Sequence, residues 1–477
     1  MKYMMNKNRL FILLSLFLGV CVVGCSDSDD SGTYSEDYSD ALISSFTLPA
    51  NPKYAPGLAN VFFSIDQKGI YEAGLGYIGQ IYNADSLPMG TVTNSLLANI
   101  TTQSASEVML YNYNTETKEY SDSSLYSTTD SINFSHPVYV KVVAANRITT
   151  KYYEIKVNVH KQNPDSIDWQ LYKNNVLPEF NNIVQQKAVS MSGDAYWFTA
   201  TPTNVYLNKA GVNDMSSWNK SNVSWSTSGM LDLSTLTVYN DEIYCLTENG
   251  EMLKSSDGIT FSQAMSNNTG FVNIIGSYGE NGSANQLIAI RKTDNVNYFS
   301  YFTAGSGWVN NGVVPADFPI EGFSNSISYT AGKRDRITIA GGKTASGTLV
   351  KSLWSYDGVD PWAVFPQVYL PGAEGRTLVS YESDPRYKDT FWFMICGQTG
   401  ANAYTSSIYY SDNKGVSWRE ASSLVSFPKS FEARAFVSAI VDEDFYINLL
   451  GGKTTGNKEL NQIWKGRLNN LVFKPIE

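Results

Sequence analysis

Over most of its length this chain alternates short apolar runs with small polar turns. Ile337-Thr338-Ile339-Ala340 ends in Gly341-Gly342-Lys343 and is followed by Leu353-Trp354-Ser355-Tyr356 and then Trp362. The same order returns in Phe393-Met394-Ile395-Cys396-Gly397, Ile408-Tyr409-Tyr410-Ser411 and Trp418. It returns again in Ile447-Asn448-Leu449-Leu450-Gly451-Gly452, Ile463-Trp464-Lys465 and Phe473. Apolar runs of this length, closed by Gly and polar residues, predict buried strands. Equivalent glycines lie about 55 residues apart, a spacing typical of repeat architectures.

Shorter, degenerate copies precede these. They are Ala195-Tyr196-Trp197-Phe198 with Val205-Tyr206-Leu207 and Trp218, Ile243-Tyr244-Cys245-Leu246 with Met252-Leu253-Lys254-Ser255 and Phe261, and Leu287-Ile288-Ala289-Ile290 with Tyr298-Phe299-Ser300-Tyr301 and Trp308. Three later and three earlier units predict a six-bladed β-propeller over residues 166–477. Before it, Val138–Ala144, the turn Ala145-Asn146-Arg147 and the period-two run Tyr152–Val159 predict a hairpin. This hairpin resembles the closing strands of bacterial cadherin-like or immunoglobulin-like domains, which implies an N-terminal β-sandwich over residues 41–161. The expected fold class is therefore all-β, with the division near Gln162-Asn163-Pro164-Asp165.

Two turns resemble the Asp-box of sialidase-like propellers, Ser-x-Asp-x-Gly-x-Thr-Trp. One is Ser411-Asp412-Asn413-Lys414-Gly415-Val416-Ser417-Trp418, with Asn413 where that family has Asp. The other, Ser255-Ser256-Asp257-Gly258-Ile259-Thr260-Phe261, is one residue shorter and has Phe for Trp. The resemblance implies a structural role for Ser255, Asp257, Gly258, Phe261, Ser411, Asn413, Gly415 and Trp418. The polar side chains tie the turn, Gly relieves a backbone position, and the aromatic fills the gap between blades. Full burial of Trp418 would make Trp418→Ala cost about 3–5 kcal/mol. The copies ending in Gly341-Gly342 with Trp354, and in Gly451-Gly452 with Trp464, look more like kelch repeats. Together these features imply a kelch/Asp-box hybrid.

The N-terminus adds an address. Lys2, Lys7 and Arg9 precede an apolar stretch from Leu10 to Val23, and Val22-Val23-Gly24 leads into Cys25. A basic segment, a short apolar core and a small residue at the cut predict a signal peptide over residues 1–24. Cys25 at that cut resembles a bacterial lipobox, which implies acylation of Cys25 and anchoring in the outer-membrane lipid. An ordinary signal peptide with an incidental Cys is the alternative. Residues 25–40, opening Ser26-Asp27-Ser28-Asp29-Asp30, predict an acidic disordered tether. The acidic run resembles the export signal of surface lipoproteins in Gram-negative gut bacteria, implying a chain that faces the cell exterior. A plain solvated spacer has the same composition.

Charge and cysteine content narrow the chemistry. The net charge is −10, and loss of residues 1–24, with three bases and no acid, makes it more negative. Such a surface excludes nucleic acid as a partner. Cys245 and Cys396 sit in apolar runs and read as buried small hydrophobes; an exported chain could pair them. Both histidines, His136 and His160, precede the repeats. The propeller thus lacks the imidazole needed for His-based triads and most zinc or copper sites, and no metal or cofactor is implied.

A sialidase-type hydrolase would need three converging Arg, and the region holds Arg291, Arg334, Arg336, Arg376, Arg386, Arg419, Arg434 and Arg467. No Arg-Ile-Pro-like opening motif precedes the repeats, and Glu432 with Arg434 reads as a surface pair. Glu374, Glu432, Asp442 and Asp444 are the candidate carboxylates for the pair that glycosidases use. The expected function is binding, without catalysis, of a glycan or a surface protein. Loops rich in Asn, Ser, Thr and Gly, such as Thr344–Gly347 and Thr399–Asn402, and 31 Tyr with 10 Trp supply sugar-compatible groups. A glycoside hydrolase and a purely structural surface protein are the alternatives.

Overall fold

The computed structural model describes residues 39–469, apart from 51–57, 73–74, 115–116, 118, 164, 266–267, 280–285, 304–306, 360, 366–369 and 383–389. The signal peptide, Cys25 and nearly all of the tether lie outside the described residues. The chain divides into two compact units between His160 and Lys161.

In the first unit a six-stranded sheet runs in the order Ser64–Glu72, Gly76–Tyr82, Thr150–Lys156, Val138–Ala144, Ala105–Asn114, Glu119–Leu125. Its pairings are antiparallel except that Gly76–Tyr82 runs parallel to Thr150–Lys156. A second, two-stranded sheet pairs Ile43–Thr47 with Asn99–Thr102. Ile43, Phe46 and Ala98 share one core with Ile81, Val138, Val140, Val142 and Ile155. The alternation of Val138, Val140 and Val142 is thus the inward face of a sandwich. Tyr153 is buried there with its hydroxyl satisfied, accepting from Ile43 N at 3.0 Å and donating to Gln67 Oε1 at 2.6 Å.

The second unit is a ring of six sheets, here called blades 1 to 6, each built on four antiparallel strands; blade 2 carries a fifth, Ser224-Trp225, parallel to its outermost strand. Blade 1 runs Gln185–Met191, Asp194–Ala200, Val205–Gly211, Asp214–Asn222. Blade 2 runs Leu231–Tyr239, Glu242–Thr247, Met252–Ser255, Thr260–Gln263, and blade 3 runs Phe271–Tyr278, Gln286–Thr293, Val296–Thr303, Gly307–Val313. Blade 4 runs Ile327–Ala331, Arg334–Ala340, Leu353–Tyr356, Ala363–Val364, and blade 5 runs Thr377–Glu382, Thr390–Ile395, Ile408–Ser411, Arg419–Glu420. Blade 6 takes three strands from the end of the chain, Ser438–Val441, Ile447–Leu450 and Gln462–Gly466. Its outermost strand is Gln170–Asn174, from the beginning of the unit, with Leu171 opposite Trp464. A second clasp pairs Ser166-Ile167 with Leu468-Asn469.

The apolar runs recognised in the sequence are the second and third strands of each blade. Both faces of a second strand are buried, so it reads as a nearly continuous apolar run. Period two then divides its side chains between neighbours: Leu287 and Ala289 join the core shared with blade 2, whereas Ile288 and Ile290 join the core shared with blade 4. Among the described residues one such apolar cluster occupies each of the six blade junctions.

Each blade is an antiparallel meander, so its connections fall on two faces of the ring. Turns between strands 1 and 2 and between strands 3 and 4 share one face, here the box face. Connections between strands 2 and 3 and between successive blades share the other, the diglycine face.

Candidate functional site

Both Asp-box-like turns join strands 3 and 4, in blades 2 and 5, and so lie on the box face. Ser255 Oγ donates to Asp257 Oδ1 at 2.8 Å and accepts from Gly258 N at 2.9 Å. Asp257 Oδ1 also accepts from Ile259 N and Thr260 N at 2.8 and 3.0 Å. Burial pushes the Asp257 carboxyl up, but these bonds outweigh it and hold its pKa below the usual value. In blade 5, Ser411 Oγ bonds Asn413 Oδ1 and Gly415 N, both at 2.9 Å, and Asn413 Oδ1 accepts from Ser417 N at 2.9 Å. Gly258 and Gly415 have φ of 76° and 83°, and a Cβ at Gly415 would stand 2.8 Å from the Trp392 ring. The aromatics differ from expectation. Phe261 is buried, but Trp418 is only half-buried, its Nε1 donating to Gly415 O at 3.1 Å.

On the diglycine face Gly341 and Gly342, and Gly451 and Gly452, all have positive φ. Each lets a neighbouring segment approach closely: a Cβ on Gly341 would meet Ala373 O at 2.5 Å, and one on Gly451 would meet Gln186 Oε1 at 2.1 Å. Trp354 and Trp464 are buried on the third strands beside them. Beneath this face lie two buried arginines. Arg434 donates from Nη1 to Gly451 O, from Nη2 to Gln462 Oε1 and from Nε to the backbone oxygen of Glu432, at 3.1, 3.0 and 2.8 Å. Its guanidinium stands 4.3 Å from the centre of the Phe431 ring. Arg376 repeats the device, bonding Cys396 O and Pro371 O at 3.3 and 2.9 Å. Burial lowers both guanidinium pKa values, that of Arg434 to about 10. Arg434 is therefore no surface partner of the Glu432 carboxylate, and neither arginine is free to meet a ligand's carboxylate.

The four candidate carboxylates are spent or exposed. Glu374 pairs with Lys343 at 2.6 Å, Glu432 Oε1 accepts from Thr454 Oγ1 at 3.0 Å, and Asp442 pairs with Lys465 at 2.8 Å and lies on the box face; Asp444 is exposed. None lines the axial cavity. Cys245 and Cys396 are free and buried in blades 2 and 5, and burial pushes both thiols up, Cys396 to about 12. Among the described residues no group of three or more His, Cys, Asp or Glu is placed to hold a metal.

The first strands of the blades enclose a cavity of about 470 Å³, lined from blades 1, 2, 3, 4 and 6. Its wall is mainly amide and hydroxyl: Gln185, Ser234, Asn273, Ser324, Asn325 and Ser438. The first strand of blade 2 helps to shape it. Asp232 pairs with Leu246 and Thr237 with Tyr244, so a stretch of four residues, Leu233 to Leu236, stands opposite one and bulges from the ladder. Asp232 Oδ1 closes that bulge by accepting from Ser234 N and Ser234 Oγ at 3.0 and 2.7 Å.

Four charged residues that sequence reasoning missed line this wall: Lys187, Asp232, Lys453 and Glu459. Burial lowers the Lys187 ammonium's pKa, with partial compensation from Asp232. Burial raises Glu459 to about 7, although Gln186 Nε2, donating to its Oε2 at 2.8 Å, and Lys453 oppose the shift. Their only sequence signal was a charge in or beside an apolar run. The distance in sequence between Lys187 and Glu459 hid their convergence.

The fold and the cavity define the class: a six-bladed β-propeller with a polar axial pocket, joined to an N-terminal β-sandwich. The chain belongs to the DUF6242 family. Residues 163–476 match the model described as the DUF6242 beta propeller domain, and residues 40–157 match the model of its N-terminal domain, a domain of unknown function. A search of curated proteins gave no match. Similar solved structures include a protein of unknown function from Dyadobacter fermentans (9% identity, TM-score 0.42), covering 64% of this chain and 99% of that one. A mutant of AofleA from Arthrobotrys oligospora is 12% identical at TM-score 0.39, over 62% and 86% of the two chains. A thermostable family-43 glycoside hydrolase is 11% identical at TM-score 0.33, over 64% and 98%.

Proposed function

We propose that this chain is a lipid-anchored, surface-exposed binding protein whose propeller takes a glycan into its axial cavity without altering it. The observation that carries this reading is the cavity wall. A volume of about 470 Å³ falls in the range of small-ligand pockets, and its amides and hydroxyls suit the hydroxyl groups of sugars. The Ser- and Thr-rich loop Thr344–Gly347 and the loop Thr399–Asn402 lie on the diglycine face, where a polysaccharide entering the pocket would extend. The anchor is Cys25, and the acidic tether holds the domains clear of the membrane. A search of an oligosaccharide array with the detergent-solubilised full chain tests the reading. Retention on a defined set of spots supports it, and a blank array sinks it.

A hydrolase is the second reading, because Asp232 and Glu459 both line the cavity and Glu459 keeps a proton near neutral pH. A carboxyl that holds its proton to near neutral pH can serve as a glycosidase's general acid, and a second carboxyl group on the same cavity is the other residue type that chemistry uses. Mass analysis of each retained spot decides between the two. Shortened glycans that disappear with Glu459→Gln establish hydrolysis, and intact glycans establish binding.

A further inference from the structure

Three turns that lead into the first strands of blades 4, 5 and 6 are linked head to tail. Gly375 N donates to Gly322 O, and Phe436 N donates to Gly375 O, each at 2.7 Å. The three residues share one backbone conformation, with φ of 63°, 62° and 56°. Glycine accepts that left-handed region freely, whereas a residue with a Cβ meets its own carbonyl and pays in strain. Blades 4 and 5 use glycine at this place, and blade 6 uses phenylalanine.

Packing does not account for the exception. Phe436 is half-buried, belongs to none of the six apolar clusters between blades, and stacks on no aromatic ring among the described residues. One face of its ring is nevertheless fixed. A Cβ on Gly375 would stand 2.8, 2.8 and 2.9 Å from Cδ2, Cγ and Cδ1 of Phe436, so the ring lies flat on the glycine. Phe436 also lines the axial cavity, at the end where Gly322, Phe323, Lys453 and Glu459 do. An aromatic ring backed by bare backbone, held in a strained conformation and bordering a wall of amides and hydroxyls has the form of a stacking surface. Strain of this sort persists where the surrounding structure enforces it, and it gathers at ligand sites.

We infer that Phe436 is the stacking platform of the axial site and that it receives the C–H face of a sugar ring, while the polar wall bonds the hydroxyls. The inference rests on the glycan reading and adds to it a specificity-determining residue and the ligand's contacting face.

The test uses the full chain, an oligosaccharide array and a melting curve for each variant. Phe436→Gly and Phe436→Asn both suit the left-handed region and remove the ring. We expect each to lower retention at least tenfold on every spot that holds the wild type, with a melting temperature equal to or above it. Phe436→Trp keeps an aromatic face and should keep retention. Wild-type retention by both ring-less variants overturns the platform and leaves the glycan reading standing. A melting temperature well below wild type for both makes the ring a packing plug and likewise overturns it. A blank array for the wild type removes the glycan reading and the platform together.

Discussion

The two faces of the propeller are tied by different chemistry. On the box face, Ser255 with Asp257 and Ser411 with Asn413 bind the backbone of their own turns, and the bonds span four residues or fewer. On the diglycine face several ties run between blades: Gln186 reaches Gly452 and Leu460, Gly397 N reaches Arg434 O, and Gly375 reaches Gly322, while the Arg434 guanidinium fastens the entry to blade 6 onto Gly451 and Gln462. A turn tied to itself can be lost alone. A tie between blades also sets the width of the ring, and hence the axial cavity. Bonds on the box face also bridge blades, Lys414 Nζ reaching Thr330 O and Tyr381 Oη reaching Phe445 O, so what sets the diglycine face apart is that its shared ties, at Gln186 and Gly322, border the axial cavity.

The strongest way to break this comparison is to remove one buried side chain from each face. Arg434→Ala leaves a void and several buried carbonyls without donors, and we expect a loss of about 3–4 kcal/mol in urea unfolding. Phe261→Ala, which empties a buried site at the box face, should cost about as much. Trp418→Ala should cost about half as much, because the side chain is half-buried. Equal losses at Trp418 and Phe261 would overturn that ranking.

Glu459 sharpens the comparison through pH. Its folded pKa of about 7 exceeds the 4.5 usual for a glutamate, so the folded state holds a proton that the unfolded state has released. Stability is therefore greatest below the unfolded value, falls as pH rises through the window from 4.5 to about 7, and is level above it. Glu459→Gln should flatten that decline, a change on the order of 1–2 kcal/mol after allowance for solvent at the cavity wall. A decline that persists in the variant assigns the proton elsewhere.

Asp257 runs the opposite way. Its folded pKa is depressed, so its contribution is present above the unfolded value and is lost as pH falls through the folded one. Asp257→Ala should cost about 1 kcal/mol at neutral pH, measured by thermal or urea unfolding, and leave glycan retention unchanged. The smallest effect belongs to Ile259→Lys, an exposed position in the same turn, with a change within about 0.5 kcal/mol and wild-type retention. Loss of retention in either box-face variant would place the ligand on the wrong face.

Much of the fold could be read along the chain because second strands such as Leu287–Ile290 are buried on both sides and leave an apolar signature. First strands leave none. Gln185–Met191 and Leu231–Tyr239 border the cavity with Gln, Lys, Asp and Ser, and the second of them is bulged, so neither alternates cleanly. The site was hidden for the same reason: its wall is built from the strands whose pattern is weakest. Arg434 looked like half of a surface pair because a two-residue spacing along a strand does not reveal that the intervening turn buries the guanidinium under a diglycine. The strained backbone of Phe436 was equally illegible, since phenylalanine carries no mark of a left-handed conformation.

The clasp in blade 6 has a consequence for biosynthesis. Gln170–Asn174 leaves the ribosome before any blade exists, yet its partner, Gln462–Gly466, follows only after five whole blades. While those five blades are made the opening strand waits without a neighbour, and the growing arc of blades carries a free edge able to pair with another chain. A message cut short anywhere before the last blade therefore yields an open arc with a sticky rim. Completion of the sixth blade is the event that renders the propeller safe to release.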